Sequence, residues 1–211
     1  MPLTDPFDRY TERYEEWFER YEPVYRSELA ALERAVDGDA FGLEIGVGSG
    51  RFAAPLGIDV GVDPSPAMLE RARRRGVEVV RGVAERLPIG SAAVEVALLV
   101  TTICFVTDIG ATLEEAGRVL SPDGRLVMGY IDRESDLGEI YQAMQDENPF
   151  YRDATFVSTD ELLAELEARG FEDVDVLQTV FHPPGETESV EPVRPGYGEG
   201  SFVVLAADPP A

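Results

Sequence analysis

From residue 41 onward, apolar runs of strand length alternate with stretches whose apolar positions recur three and four residues apart. Residues 41–45, 58–62, 77–81 and 94–100 read as four strands, and 125–131, 174–181 and 201–207 as three more. Segment 94–100 carries so little polar interruption that it is expected to be buried on both faces. A short helix is predicted over 51–55 and a longer one from Pro66, which suits a first helical turn, to Arg75, with Gly76 ending it. Further helices fall at 109–120 and 137–145, and a last one runs from the capping-box spacing Ser158-Thr159-Asp160-Glu161 to Gly170. Ser121-Pro122-Asp123-Gly124 reads as a turn ahead of the fifth strand. Residues 182–200, rich in Pro, Gly and Glu, form a long loop or a β-excursion, and long loops inside compact domains are often functional. Alternating strands and helices predict a mostly parallel sheet with helices on both faces.

Ahead of this pattern, residues 7–36 read as amphipathic helix. Tyr10, Tyr14, Trp17, Phe18, Tyr21 and Tyr25 recur at helical spacing, Glu and Arg fill the other face, and Pro23 breaks the segment in two. The aromatic stripe either packs on the main domain or also covers a ligand mouth, with Tyr14 or Trp17 touching the ligand. Residues 36–39 form the turn that ends it.

Composition bounds the function. The 211 residues suffice for one domain with a sizeable core, or for two small ones. No apolar run approaches the roughly 18 residues of a membrane span, and Met1-Pro2-Leu3-Thr4-Asp5 gives no sign of a signal peptide. The single cysteine, Cys104, fits a reducing compartment, so a soluble cytoplasmic protein is expected. The charge is unusual: 18 basic against 41 acidic residues give −23, every basic residue being arginine. Such a polyanion repels phosphates, which argues against nucleic-acid or membrane partners. Acid excess without lysine reads as adaptation to high intracellular salt, or more plainly as the codon bias of a GC-rich genome.

Chemistry concentrates at Gly46-Val47-Gly48-Ser49-Gly50, directly after the first strand, where an α/β sheet places a nucleotide-like cofactor. The spacing is G-x-G-x-G, and Arg51 stands where a dinucleotide fold needs its third glycine. Glu44 sits two residues before the turn, and Asp63 closes the second strand, where a carboxylate can accept both ribose hydroxyls of an adenosine. That disfavours a nicotinamide-dependent reductase.

These residues resemble the class I S-adenosylmethionine-dependent methyltransferases, specifically the small-molecule type-11 group, over nearly the whole chain. The resemblance implies a Rossmann-like fold with a seven-stranded sheet in the order 3-2-1-4-5-7-6. It also implies a single domain, with residues 1–38 as a helical cap on a 39–211 core, and S-adenosyl-L-methionine as cofactor. Glu44, Gly46, Gly48 and Gly50 match the motif that holds the cofactor's methionine part. Asp63, Pro64 and Ser65 match the second motif, Asp63 as the ribose acid, with Met68 beside adenine. Within Gly82-Val83-Ala84-Glu85-Arg86-Leu87-Pro88-Ile89, Ala84 and Glu85 would border the adenine, Glu85 accepting from its amino group. The helix-to-strand turn at 116–124 matches a mainly structural motif. The family's N-terminal pattern is met at Phe7, Asp8, Tyr14, Trp17 and Phe18, with Thr11 and Glu15 departing from it, and it points Tyr14 at the cofactor.

Other departures narrow the acceptor. The helix after the glycine turn is short, which would leave that side more open. Ala93-Val94-Glu95 stands where the family usually has Phe-Asp at the start of the fourth strand. The fourth strand ends in Thr101-Thr102-Ile103-Cys104, not the Asn/Asp-Pro-Pro-Tyr turn of enzymes that methylate nucleic-acid amines or protein glutamine. One cysteine argues against a thiolate-dependent arsenic methyltransferase. Thr101, Thr102 and Cys104 border cofactor or acceptor, or simply pack. Asp132, Arg133 and Glu134 at the same sheet edge, and the loop 191–200, are candidate acceptor walls, and His182 reads as a loop residue before it reads as a base. No metal-ligand cluster is apparent. The expectation is methyl transfer to a small molecule by a monomer or homodimer, driven by proximity and alignment, with no catalytic residue assigned. A cofactor-binding protein without transferase activity is the second reading.

Overall fold

The computed structural model describes residues 5–210; the first four residues, part of the stretch read for a signal peptide, lie outside the described residues. Eight strands are present: β1 (Gly42–Ile45), β2 (Val60–Asp63), β3 (Glu78–Arg81), β4 (Val94–Val100), β5 (Leu120–Ile131), β6 (Glu172–Thr179), β7 (Arg194–Pro195) and β8 (Phe202–Asp208). They form one sheet in the order β3-β2-β1-β4-β5-β8-β6-β7. The neighbours from β3 through β5 pair in parallel, while β8 runs antiparallel between β5 and β6. The seven expected strands therefore stand in the expected order, and the sheet is wider by one. Part of the loop 182–200 returns beside β6, pairing Leu177 with Pro195 and Gln178 with Arg194. An edge position tolerates the proline, which has no N–H to donate. The predicted turn at 121–124 also proves to lie within β5. Leu120 pairs with Val94 and Arg125 with Val96, so the four residues between bulge out of the ladder.

Polar residues at the loop-to-helix joints start the helices. Ser65 accepts from the Met68 N–H to open α5 (Pro66–Arg74), and Asp108 accepts from the Ala111 N–H to open α6 (Ile109–Val119). α7 (Asp136–Ala143) begins at Ser135, and α8 (Thr159–Ala168) begins with the predicted capping box. The piece after the glycine turn is one helical turn, α4 (Ala53–Leu56). Leu113, Ala116, Leu162 and Leu166 from α6 and α8 cover one face of the sheet, over Leu43, Ala97, Leu99 and Leu126. Val24, Leu32, Leu69 and Ala72 cover the other, over Val96, Leu98, Val127 and Val204. Both faces of β4 are thus apolar and buried, as a central parallel strand requires.

The N-terminal helical stretch is broken twice, not once. It forms α1 (Asp5–Arg9), α2 (Thr11–Arg20) and α3 (Glu22–Leu32), with breaks at Tyr10 and Tyr21. The second break is the one expected at Pro23, which lies in the first turn of α3, where its missing N–H costs nothing; the break at Tyr10 is not among the sequence expectations. The strand order reverses between β1 and β4, and a parallel sheet opens its ligand crevice at the carboxyl ends of strands flanking such a point.

Candidate functional site

A cavity of about 520 Å³ occupies that crevice, within the range of small-ligand sites. Its floor is the end of β2 and the turn after β1. Asp63 is buried there; its Oδ2 accepts from the Gly48 N–H at 2.9 Å and its Oδ1 from the Ser65 N–H at 2.8 Å. A carboxylate has about four acceptor positions, so two remain for a ligand. Burial pushes the Asp63 pKa up to about 6 against those two hydrogen bonds, so the empty site takes up a proton readily. Gly48 has φ +50°, and a Cβ there would meet the Tyr14 hydroxyl at 3.3 Å. The turn thus exposes bare backbone under Tyr14. Pro64, Ser65 and Met68 continue the wall, Ser65 Oγ donating to Asp8.

Beyond β3 the wall is Gly82, Val83, Ala84 and Glu85. Glu85 Oε1 accepts from the Thr107 N–H at 2.7 Å and its hydroxyl at 2.8 Å. Burial works to raise this carboxyl's pKa, but those bonds outweigh it and the net shift is downward. On the opposite side β4 ends at Thr101, a β-branched residue at φ +48° that the Gly129 carbonyl holds through its N–H at 2.7 Å. That reversal turns Thr102 back over Gly46, where it fills the space a Cβ would need. Ile103–Phe105 forms a 3-10 turn, and burial pushes the Cys104 thiol up to about 12, which makes it a poor nucleophile.

Aromatic side chains roof the cavity. Phe7, Tyr14, Trp17 and Phe18 descend from the N-terminal helices, meeting Phe105 and residues 141–157 from across the crevice. Phe7 sits 5.2 Å from Phe105 and 5.5 Å from Phe150, edge-on and tilted respectively. Tyr141 and Tyr151 stack at 4.6 Å. Between the two walls Glu28, from α3, completes the lining. The side beside α4, expected to be open, is filled by Phe18, Tyr25 and Phe52.

Of the residues singled out in the sequence, Tyr14, Gly46, Gly48, Asp63, Pro64, Ser65, Met68, Ala84, Glu85 and Thr101 share this cavity. Glu44 and Gly50 do not line it. Glu44 lies inside β1 under the turn, accepts from the Ala53 N–H, and has one oxygen without a partner among the described residues. Burial pushes its pKa well above the ordinary carboxylate value, so the place beneath the turn disfavours the charged form. A Cβ on Gly50 would press on Ala72 at 3.1 Å, so that glycine lets the turn sit against α5. The proposed acceptor walls also fall elsewhere. Asp132 is buried against the Thr159 N–H and hydroxyl, and Arg133 pairs with Glu161 at 2.9 Å. The 191–200 loop is tied to α3, the Glu191 N–H donating to Ser27 Oγ at 2.8 Å, and His182 pairs with Glu191. Sequence reasoning missed Glu28 and the 141–157 aromatics. Glu28 had a readable signal: it interrupts the apolar spacing Val24, Ala31, Leu32 on the buried side of α3.

Among the described residues, no group of three or more His, Cys, Asp or Glu could hold a metal ion, and no helix is long and apolar enough to cross a membrane.

A profile of the methyltransferase-domain family matches residues 43–128. An uncharacterized protein of Methanocaldococcus jannaschii is 40% identical over 202 residues, spanning 96% of this chain and 98% of the relative. Among solved structures, an S-adenosylmethionine-dependent methyltransferase of Thermotoga maritima, described as a possible histamine N-methyltransferase, superposes with a TM-score of 0.93. It is 46% identical and the match covers 96% of this chain and 97% of that one. A chain from the Haloferax volcanii complex of the Trm112 activator with a methyltransferase is 18% identical and matches with a TM-score of 0.72 over 100% and 99% of the two chains, a likeness of fold alone.

Proposed function

The chain belongs to the S-adenosylmethionine-dependent methyltransferases of class I fold, and on that premise we propose that it methylates a small molecule held in the roofed cavity. The observation that carries this reading is one continuous cavity, polar at the Asp63 end and aromatic at the other. An enclosed aromatic end suits a small acceptor better than a polymer, and a charge of −23 opposes nucleic acid. We read the whole chain as one methyltransferase domain with its N-terminal helices as cap.

The residues fit the cofactor at two points. Asp63 keeps two free acceptor positions, which the ribose hydroxyls of S-adenosylmethionine would take, and the bare backbone at Gly48 would lie against its methionine part. Ala84, Glu85 and Met68 would flank the adenine, with Tyr14 over the turn and Thr101 facing the acceptor side. The bound cofactor supplies the electrophile, a methyl group on a positively charged sulfur. The protein's share is to align the acceptor and exclude water, which proximity alone makes worth several kcal/mol of the barrier. Arg51 stands where a dinucleotide fold packs its third glycine, and it is spent on an ion pair with Glu15 at 2.5 Å.

Thermal shift tests the reading first: S-adenosylhomocysteine should raise the melting temperature and NADH should not. The reverse result would sink it. Asp63→Ala should weaken S-adenosylhomocysteine by roughly tenfold or more, since hydrogen bonds to a charged group are lost. A turnover screen over amine, hydroxyl and carbon acceptors then separates an enzyme from a passive binder of the cofactor.

A further inference from the structure

One carboxyl in the cavity has no partner. Glu28 is 3% exposed, lines the cavity, and accepts no hydrogen bond and makes no ion pair among the described residues. Its neighbours on α3, Val24, Ala31 and Leu32, are fully buried, so Glu28 stands on the buried side of that helix. Its carboxyl faces the cavity with no side chain or backbone group among the described residues to pair with, so its partner has to come from what the cavity holds. The walls beside it say which ligand. Tyr14, Trp17 and Phe18 come from α2, Tyr141 from α7, and Tyr151 from the segment after it, with Tyr141 and Tyr151 stacked. Aromatic faces attract cations and so does a buried carboxylate, so an ammonium answers both at once, whereas a neutral hydroxyl would meet only the carboxyl and an anion neither.

We propose that Glu28 and the rings around it form a binding subsite for an organic ammonium, and that the acceptor is an amine held there as its cation, which gives its N–H proton to the Glu28 carboxylate and so frees the nitrogen lone pair that accepts the methyl group. This rests on the transferase reading and names the acceptor class for it. The titratable groups that face Glu28 are the hydroxyls of Tyr14 on α2, Tyr25 on α3, Tyr141 on α7 and Tyr151 beyond it, and none brings a positive charge. Arg13, which also lines the cavity, lies over the Phe150 ring, and Asp63 is the carboxyl at the other end. Burial alone pushes the Glu28 pKa up to about 8, so the ligand-free site holds a proton at neutral pH and an ammonium must displace it.

Choline, a permanent cation that cannot itself accept a methyl group on nitrogen, is the probe, with dimethylbutanol as its uncharged carbon isostere. Trp17, the only tryptophan in the chain, lines the cavity and reports binding by its emission. The titration is done on protein saturated with S-adenosylhomocysteine. Choline should bind wild type far more tightly than dimethylbutanol, with an affinity that rises by up to about tenfold per pH unit below pH 8 and levels off above it. In Glu28→Gln it should bind at least about tenfold more weakly and without that pH slope, while dimethylbutanol and S-adenosylhomocysteine are unaffected. Equal choline affinity in the two proteins, or a wild-type affinity independent of pH, overturns the subsite and leaves the cofactor site standing. If Glu28→Gln does not fold, the wild-type pH slope and the choline-to-dimethylbutanol ratio decide alone. Failure of S-adenosylhomocysteine to stabilise wild type is the separate result that overturns the transferase reading itself.

Discussion

Glu15 fastens the cap to the glycine turn. It is buried, yet both Arg51 and Arg75 reach it at 2.5 Å, and Arg75 also donates to the Ser49 carbonyl at 2.7 Å. Burial works to raise its pKa, but the Ser49 side chain together with Arg75 and Arg51 reverses the sign. Glu15→Ala leaves two half-covered guanidinium groups without their partner, and removing one side of a buried pair costs about 3 kcal/mol or more. Calorimetry should therefore show a melting temperature lower by roughly 5–10 °C; a change within 1 °C or so would assign the pair to the weak surface class. Two of the cavity's carboxyls, Glu28 and Asp63, act in the opposite direction. Burial raises Glu28 from 4.5 to about 8 and Asp63 from 3.8 to about 6, so the folded protein keeps protons that the unfolded chain releases at those lower values. That contribution to stability is complete below about pH 3.8 and is lost as pH rises through 6 for Asp63 and 8 for Glu28. Glu28→Gln should consequently raise the melting temperature of ligand-free protein at about pH 8.5 by several degrees and leave it unchanged near pH 4. Asp63 could be read from sequence because its place at a strand end and its chemistry coincide. Glu28 escaped because one polar residue in an apolar helical stripe looks like noise until the cavity behind it is seen. Glu44 misled for the same reason in reverse: two residues from the glycine turn in sequence, it points beneath the turn.

At the scale of elements, the roof is held by ring contacts between segments far apart in the chain. Phe150 touches Phe7 and Tyr14 and carries the Arg13 guanidinium, so it joins the first two helices to the stretch after α7. Each aromatic pair contributes about 0.5–1.5 kcal/mol beyond buried area. Phe150→Ala is expected to speed release of S-adenosylhomocysteine by roughly tenfold in stopped-flow traces of Trp17 emission, since it removes the three ring pairs with Phe7, Tyr10 and Tyr14. Ligand-free stability should drop far less, because the sheet core is untouched; an unchanged release rate would mean that the roof does not control exit. The strands of the sheet were legible because each is a dense apolar run between clear breakers, and the boundaries of β4 match residue for residue. What sequence could not give was pairing. Whether 121–124 leaves the sheet or bulges within it, and whether Arg194–Pro195 joins an edge, depends on the partner strand and not on local pattern.

Over the whole molecule the dominant fact is the charge of −23. The ion pairs at the surface, such as Arg26 with Glu22 at 3.7 Å and Arg194 with Glu199 at 3.0 Å, are exposed and worth little. Salt weakens them, and it also screens the mutual repulsion of the unpaired carboxylates. With 41 acidic residues to 18 basic ones, repulsion outnumbers attraction, so molar salt should raise the melting temperature above its value at about 10 mM. Equal stability at both would favour codon bias as the origin of the composition.

The tie between the 182–200 loop and the N-terminal helices decides how a molecule gets in and out. Ser27 accepts from the Glu191 N–H and Arg34 donates to the Val193 carbonyl, so α3 is clasped by chain from the far end of the sequence. Below the break at Tyr21, α1 and α2 are held by side chains instead: the Glu15 pairs, Arg71 on Glu12, Ser65 on Asp8, and the rings of Phe7 and Phe18 against Phe105, Phe150, Tyr25 and Phe52. Traffic should therefore pass through a door pivoting at Tyr21, with α3 as its fixed jamb and Glu28 waiting on the jamb rather than riding on the door. Amide hydrogen exchange would show it as rapid, concerted exchange in α1 and α2 alongside protection in α3.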